Sequence, residues 1–223
     1  HRDLHSFPTR RSSDLGETFF ELGEWKIAEQ CFLYGSKAFL KNEKYANASA
    51  LQRLAANCCL LVFDIAKARD YYDVSAKAIL KSDVKNRDDM AAICVAFAFL
   101  CHFILGQQDE ALNYIKRFKG EIDIDVFANN LLIKLSKNLT NAIINEKESY
   151  LEEILAEYSK YKFRAAEAEL INAGILVGMC SVYFKYGLNL QSEEFLRDEM
   201  VELPTKLDYL KNQEYRDQSS NCP

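Results

Sequence analysis

The chain reads Leu22-Gly23-Glu24-Trp25-Lys26-Ile27-Ala28 near its start, and the same pattern returns at Phe63-Asp64-Ile65-Ala66-Lys67-Ala68 and at Leu105-Gly106-Gln107-Gln108-Asp109-Glu110-Ala111. In each case the final alanine is followed four residues later by a bulky side chain, which lies on the same face of a helix: Phe32, Tyr72 and Ile115. The alanines lie 68 − 28 = 40 and 111 − 68 = 43 residues apart. A period in this range is typical of stacked helical hairpins, in which each unit buries its apolar face against its neighbours.

The rest of the sequence also favours helices. No proline lies between Pro8 and Pro204, and proline is the residue that most strongly interrupts a helix. The sequence therefore predicts an all-α protein, a right-handed α-solenoid of antiparallel helix hairpins that closes into a C-terminal helical bundle. The helix over 87–105 is apolar nearly all round, which predicts a buried central helix. Predicted helices cover 16–22, 25–41, 44–61, 64–81, 87–105, 108–119, 124–144, 148–160, 163–186 and 190–200.

Both ends of the chain differ from its centre. Residues 1–15 read HRDLHSFPTRRSSDL, have no helical period, and match the conceptual translation of a common sequencing adapter. We expect this segment to be a non-native, disordered leader, so that the chain from Gly16 onward is a fragment. The alternative is a basic arm that contacts phosphates. Residues 16–203 are predicted to form one helical domain, and the polar tail 204–223 is predicted to fray.

Charge and cysteine usage exclude several classes of function. A formal net charge of −5 argues against a nucleic-acid-binding protein. Seven cysteines are present, but no C-x-x-C occurs, and His102 is the only histidine after the leader, so we expect no metal and no cofactor. The apolar run 90–105 is too short to span a bilayer. The sequence predicts a protein of the reducing cytoplasm, with at most peripheral association with intracellular membranes.

No motif for catalysis is present. A general base at His102, paired with Cys101, fails on geometry because neighbours in a helix diverge by about 100°. A hydrogen-bonded core histidine is the favoured interpretation. The aromatic residues Trp25, Tyr71-Tyr72 and Phe97-Phe99 suit either a binding patch or packing, and their repeat positions favour packing. We therefore expect a protein that is not an enzyme.

Several segments together resemble a known family. Lys67-Ala68 and Tyr71-Tyr72 are followed by Ala98-Phe99-Leu100-Cys101-His102-Phe103, by Asp109-Glu110-Ala111-Leu112-Asn113-Tyr114 and by Leu131-Leu132-Ile133-Lys134-Leu135. This order resembles the C-terminal half of the soluble NSF attachment proteins, the alpha/beta-SNAP group, over about residues 24–170. The resemblance implies TPR-like repeats and an adaptor for SNARE complex disassembly in vesicle-mediated transport. It also implies two partners, a SNARE helical bundle and a hexameric AAA ATPase.

The resemblance carries over only in part. The N-terminal repeats and membrane-touching loop of the family would lie before Gly16, and the C-terminal segment differs, so the ATPase contact has no matching position. Lys44 and Arg53 match the family's SNARE-contacting basic residues loosely, and either is equally well explained as a solvated charge. The alternative function is a generic TPR-like scaffold that binds a peptide in its concave groove.

Overall fold

The computed structural model describes residues 7–145 and residue 171, and it describes side chains for residues 12–141 and 171. The described residues form helices and no strand, and the helices pack as sequential antiparallel pairs, so the predicted all-α class is confirmed. The helices are α1 (Phe7–Glu21), α2 (Trp25–Lys41), α3 (Tyr45–Leu61), α4 (Ile65–Leu80), α5 (Arg87–Ile104), α6 (Gln108–Phe118), α7 (Ile124–Asn129) and α8 (Leu131–Asn145).

The chain divides into two compact units, His1–Lys137 and Asn138–Pro223. The packing described below belongs to the first unit. The predicted domain 16–203 spans the boundary between the two units. The predicted helices at 148–160, 163–186 and 190–200, the closing bundle and the tail 204–223 lie outside the described residues.

Four of the turns between helices share one backbone geometry. Each has a residue with positive φ two positions after the helix end, and the amide of the next residue donates to a carbonyl five residues earlier at 2.9 Å. This is the Schellman arrangement, which satisfies carbonyl groups at a helix C-terminus. The residues with positive φ are Gly23, Glu43, Phe63 and Gly106.

The repeat is therefore shorter than the sequence pattern suggested. The first three of these residues, Gly23, Glu43 and Phe63, are equally spaced, since 43 − 23 and 63 − 43 both equal 20, so one helix with its turn is the repeating unit. The interval between the first two repeat alanines corresponds to two such units. A longer connection between Leu80 and Arg87 interrupts the series and accounts for the wider interval that follows.

The core follows the predicted pattern. The repeat alanines are fully buried, and the bulky residues that follow them are buried too, which confirms their predicted role in helix packing. The helix α5 is buried along most of its length, as predicted, and its Phe97 ring lies 5.2 Å from the Tyr72 ring between centroids. Phe99 is buried as well, while Trp25 and Tyr71 pack against the cluster around Ala28. Packing, the favoured interpretation of these aromatic residues, is thus confirmed for the pairs on α4 and α5.

The first helix begins earlier than predicted. It starts at Phe7 rather than at residue 16, so the expected disorder is wrong for residues 7–15, while residues 1–6 lie outside the described residues. Gly16 is buried, and a Cβ atom there would lie 2.6 Å from the Phe32 ring. This glycine brings α1 close to α2, because a side chain at this position would occupy the space of the ring.

The predicted helix 124–144 is two helices. Asn130 has extended backbone dihedrals, and its side-chain oxygen accepts the amides of Leu132 and Ile133 at 3.0 and 3.3 Å. An asparagine that caps a helix in this way competes with helical hydrogen bonding and begins a new helix. Asn86, by contrast, lies at the N-cap position of α5 but makes no side-chain capping hydrogen bond.

Candidate partner-binding surfaces

The two predicted partner-binding residues do not form one cluster. Lys44 is the N-cap residue of α3 and is exposed, whereas Arg53 lies in the middle of the same helix and is partly buried. Nine residues separate them, which is about 13 Å along a helix axis. Lys44 and Arg53 therefore lie at different places along α3.

Arg53 is held by packing. Its guanidinium carbon lies 5.8 Å from the centroid of the buried Phe97 ring on α5. A cation over an aromatic face is attracted by the ring quadrupole, and the aliphatic part of the side chain covers apolar surface. Arg53 thus joins α3 to α5, and its side chain is not simply a solvated charge.

Lys44 lies among other lysines. Lys41 ends α2 in the same turn, and Lys81 reaches from the end of α4 to within 6.0 Å of the Tyr45 ring centroid. Lys85 follows in the next connection, and all four lysines are exposed or partly exposed. We call Lys41, Lys44, Lys81 and Lys85 the basic end of the stack.

Of the four lysines at the basic end, the sequence analysis identified only Lys44. Lys81 is the C-cap residue of another helix, α4, but 81 − 41 = 40, so the repeat period relates Lys81 to Lys41. Glu43 and Asp83 are exposed in the same two connections, and Asp89 is exposed in the first turn of α5, so these carboxylates partly offset the positive charge. Lys44 thus belongs to the basic end, whereas Arg53 lies against the Phe97 ring of α5.

A buried carboxylate joins α2 to α4. Glu29 is buried, and its Oε1 accepts a hydrogen bond from the Tyr71 hydroxyl at 2.8 Å and pairs with the Lys67 ammonium at 3.0 Å. Burial, followed by the bond to Glu29, raises the pKa of the Tyr71 hydroxyl. The same carboxylate raises the pKa of Lys67 through its hydrogen bond. A buried charge with two partners is a structural connection, and no sequence signal beyond the repeat period indicated it.

His102 occupies a defined hydrogen-bonded position. Its Nδ1 lies 2.9 Å from Oε1 of Gln107, and the Arg69 guanidinium donates to that same oxygen at 3.1 Å. Arginine can only donate, so the Gln107 atom between them is the oxygen and His102 Nδ1 carries the proton. Burial lowers the pKa of His102, which favours the neutral ring. The favoured interpretation of a hydrogen-bonded histidine is confirmed, although the ring is partly exposed rather than enclosed in the core.

The neighbouring thiol is poorly suited to nucleophilic chemistry. Cys101 is fully buried, and burial raises its pKa, so the thiolate is disfavoured at neutral pH. Burial likewise raises the pKa of Cys58 to about 12. These cysteines act as small apolar residues of the core.

Two further features bear on function. Within residues 12–141 and 171, no three His, Cys, Asp or Glu side chains converge as they would around a metal ion. None of the described helices combines the length and apolar character needed to cross a membrane.

Comparisons of the chain with protein-family models, with curated proteins and with solved structures found no match.

Proposed function

We propose that this chain is a protein-interaction module of stacked helical hairpins that serves as an adaptor in SNARE complex disassembly and vesicle-mediated transport. The supporting observation is the repeating unit of one helix and its turn, in which each of the helices α1 to α6 packs on its sequence neighbours. Arrays of this kind present an extended surface instead of a closed pocket, and such surfaces suit protein partners. The proposal includes the finer architecture, a right-handed TPR-like superhelix with a concave face, and a cytoplasmic location.

The resemblance to the soluble NSF attachment proteins supplies the class of partner. Its most specific segment, Leu100-Cys101-His102-Phe103, lies in α5, where Leu100, Cys101 and Phe103 are buried. These residues support a shared fold, because buried side chains set packing and do not reach a partner. Contact with a SNARE bundle must come from exposed side chains.

The basic end supplies such side chains. Its four lysines extend over the ends of α2 and α4, and their charge complements an acidic coiled coil. Because the lysines are open to solvent, they would accelerate association and give it a strong salt dependence. A hexameric AAA ATPase is the second proposed partner, and it rests on the resemblance alone.

The alternative is a generic TPR-like scaffold that binds one extended peptide in its concave groove. The observation that favours it is the partial burial of Arg53 over Phe97, which makes one of the two predicted SNARE contacts less accessible to a partner. A scaffold of this kind binds a single segment, whereas the adaptor requires the assembled bundle. That difference separates the two functions.

Interferometry with the immobilised full chain tests the proposal. The analytes are an assembled four-helix SNARE bundle and the individual SNARE segments, each at about 50 mM and about 300 mM salt. We expect binding of the bundle only, weakened by salt. The double variant Lys44→Glu, Lys81→Glu should weaken it about tenfold or more, because reversing two charges turns attraction into repulsion.

Lys26→Glu is the matched control, because it reverses a lysine at the start of α2, at the opposite end of that helix from Lys41. This variant should leave binding of the bundle unchanged. Equal losses from the control and the double variant would contradict the assignment of the basic end. Equal binding of single segments would favour the scaffold.

A further inference from the structure

Three turns of the stack expose a large apolar side chain at the same end. Leu22, Phe63 and Leu105 are 63%, 55% and 39% exposed, in the turns α1–α2, α3–α4 and α5–α6. Antiparallel packing of successive helices places these turns at one end of the stack. We call Leu22, Phe63 and Leu105 the apolar end.

Side-chain contacts hold the three turns together. The pair between Glu29 and Lys67 joins the beginnings of α2 and α4 at 3.0 Å, and the bond from Arg69 to Gln107 joins the beginnings of α4 and α6 at 3.1 Å. The apolar end is therefore a row across three neighbouring turns. A row of this kind differs from apolar residues scattered singly over a surface, which need no explanation.

Turn geometry alone does not account for the exposed apolar residues. The turn α2–α3 has the same backbone geometry at the opposite end, and it consists of Asn42, Glu43 and Lys44. The corresponding connection α4–α5 includes Ser82, Asp83 and Lys85. In the turns that join α1 to α6, one end thus carries lysines and polar residues, and the other carries exposed apolar side chains.

Phe63 provides a separate indication. It has a φ of 60°, and the equivalent positions of the other two turns at this end are Gly23 and Gly106. A bulky residue in the left-handed region is strained, and such strain is concentrated at functional positions. The chain thus places an exposed phenyl group where glycine would satisfy the backbone better.

The surroundings of the apolar end are acidic. The carboxylates within a few residues of the three turns that are open to solvent are Glu21, Glu24, Asp64, Asp109 and Glu110. Lys26, Lys67 and Arg69 are the cationic residues in the same segments; Lys67 is paired with Glu29 and Arg69 with Asp70. A partner must therefore present apolar groups together with positive charge.

We propose that the apolar end binds a basic amphipathic helix of a partner protein. The apolar stripe of that helix would cover Leu22, Phe63 and Leu105, and its flanking lysines or arginines would face the carboxylates. This surface is distinct from the basic end used in the proposed function and does not depend on it. The partner's helix would lie across the three turns, crossing the ends of the six helices they join.

The charge argues against two other occupants. An anionic lipid surface attracts basic segments and repels an acidic one. The basic end of a second copy of this chain would match the charge, but its turns carry lysines and polar residues instead of an apolar row. A helix that combines both features is the occupant that fits.

A synthetic helical peptide of about 14 residues, with leucines at helical spacing and lysines elsewhere, is the first probe. Its binding to the full chain is measured by fluorescence anisotropy. Two reference peptides keep the leucine positions and replace lysine by glutamate, or keep the composition and scramble the order. We expect the basic amphipathic peptide to bind about tenfold or more tightly than either reference, because only it offers both features.

Two glycine substitutions form the matched pair of variants. Phe63→Gly removes the phenyl group and relieves the strain of the left-handed backbone conformation, so the variant should still fold. It should weaken peptide binding about tenfold. Glu43→Gly makes the same change of backbone in the turn α2–α3 at the opposite end and should leave binding unchanged. Circular dichroism confirms that both variants fold.

Four outcomes would contradict the proposal. Equal affinity of wild type and Phe63→Gly, or equal binding of the acidic peptide, would overturn it. Flotation with vesicles that contain phosphatidylserine, lost in Phe63→Gly, would assign the surface to a membrane. Self-association in sedimentation velocity that Phe63→Gly abolishes, without peptide binding, would assign it to a second copy.

Discussion

The hydroxyl of Tyr72 donates to the side-chain oxygen of Asn57 at 2.7 Å, and both side chains are buried. The bond crosses from α4 to α3, so the bulky residue of the second repeat carries a polar connection as well as apolar packing. Buried polar groups in pairs of this kind are costly to separate, because neither can turn to water.

Tyr72→Phe should therefore lower the free energy of unfolding by about 1–3 kcal/mol, since it leaves the Asn57 oxygen buried without this donor. Urea denaturation followed by circular dichroism measures the change. Tyr34→Phe is the control, because Tyr34 is 65% exposed and its hydroxyl can contact water. A loss of equal size in the control would show that the Asn57 bond does not matter.

Gly16→Ala tests whether α1 belongs to the fold. The new methyl group would meet the buried Phe32 ring, and we expect a loss of about 1–3 kcal/mol from overpacking, reduced by the better helix propensity of alanine. Gly120→Ala meets no atom within 4 Å and should change stability little. If Gly16→Ala were neutral or stabilising in thermal denaturation, the close approach of α1 to α2 would be refuted.

The left-handed turn positions predict opposite changes in stability. Gly106 has a φ of 74° and space for a methyl group, so Gly106→Ala should cost about 1–2 kcal/mol through backbone strain alone. Glu43→Gly should gain up to about 1 kcal/mol, because it relieves a φ of 55°. Melting temperatures that move in the same direction for both variants would contradict the shared turn geometry.

The stability of the chain should depend on the protonation of His102. Burial lowers its pKa in the folded state, so the unfolded chain binds the proton more readily as the pH falls below about 6.5, the usual pKa of histidine. Unfolding becomes easier in that range, and stability returns as the pH rises through it. His102→Gln should flatten this part of the profile, measured by urea denaturation between about pH 5 and about pH 8. An unchanged profile in His102→Gln would show that the ring does not contribute.

Periodicity predicted the helices α2 to α6 to within one residue at each end. The alanines and bulky residues of the repeats recur because packing recurs, and the helix α2 has the bounds that the sequence predicted. The helix over residues 7–15 was missed because this segment has no apolar period from which a helix could be predicted. The break at Asn130 was missed because it depends on one side chain that bonds to the amides of its own chain.

The candidate surfaces were less predictable for a physical reason. Lys81 contacts Tyr45, and Arg69 contacts Gln107, through packing of helices that are distant in sequence. Whether an arginine such as Arg53 meets solvent or an aromatic ring depends on the neighbouring helix. Such placements follow from tertiary packing, which a periodic pattern describes only on average.

A repeat that consists of one helix has a consequence for how such a chain can change in length. Adding or removing a single helix with its turn reverses the direction of every later helix. The apolar turns beyond that point would then lie among the lysines, and both surfaces would be broken. Changes by a pair of helices with their turns keep each later turn on its own side. The array can thus be extended or shortened with its two ends intact only when the number of added or removed helices is even.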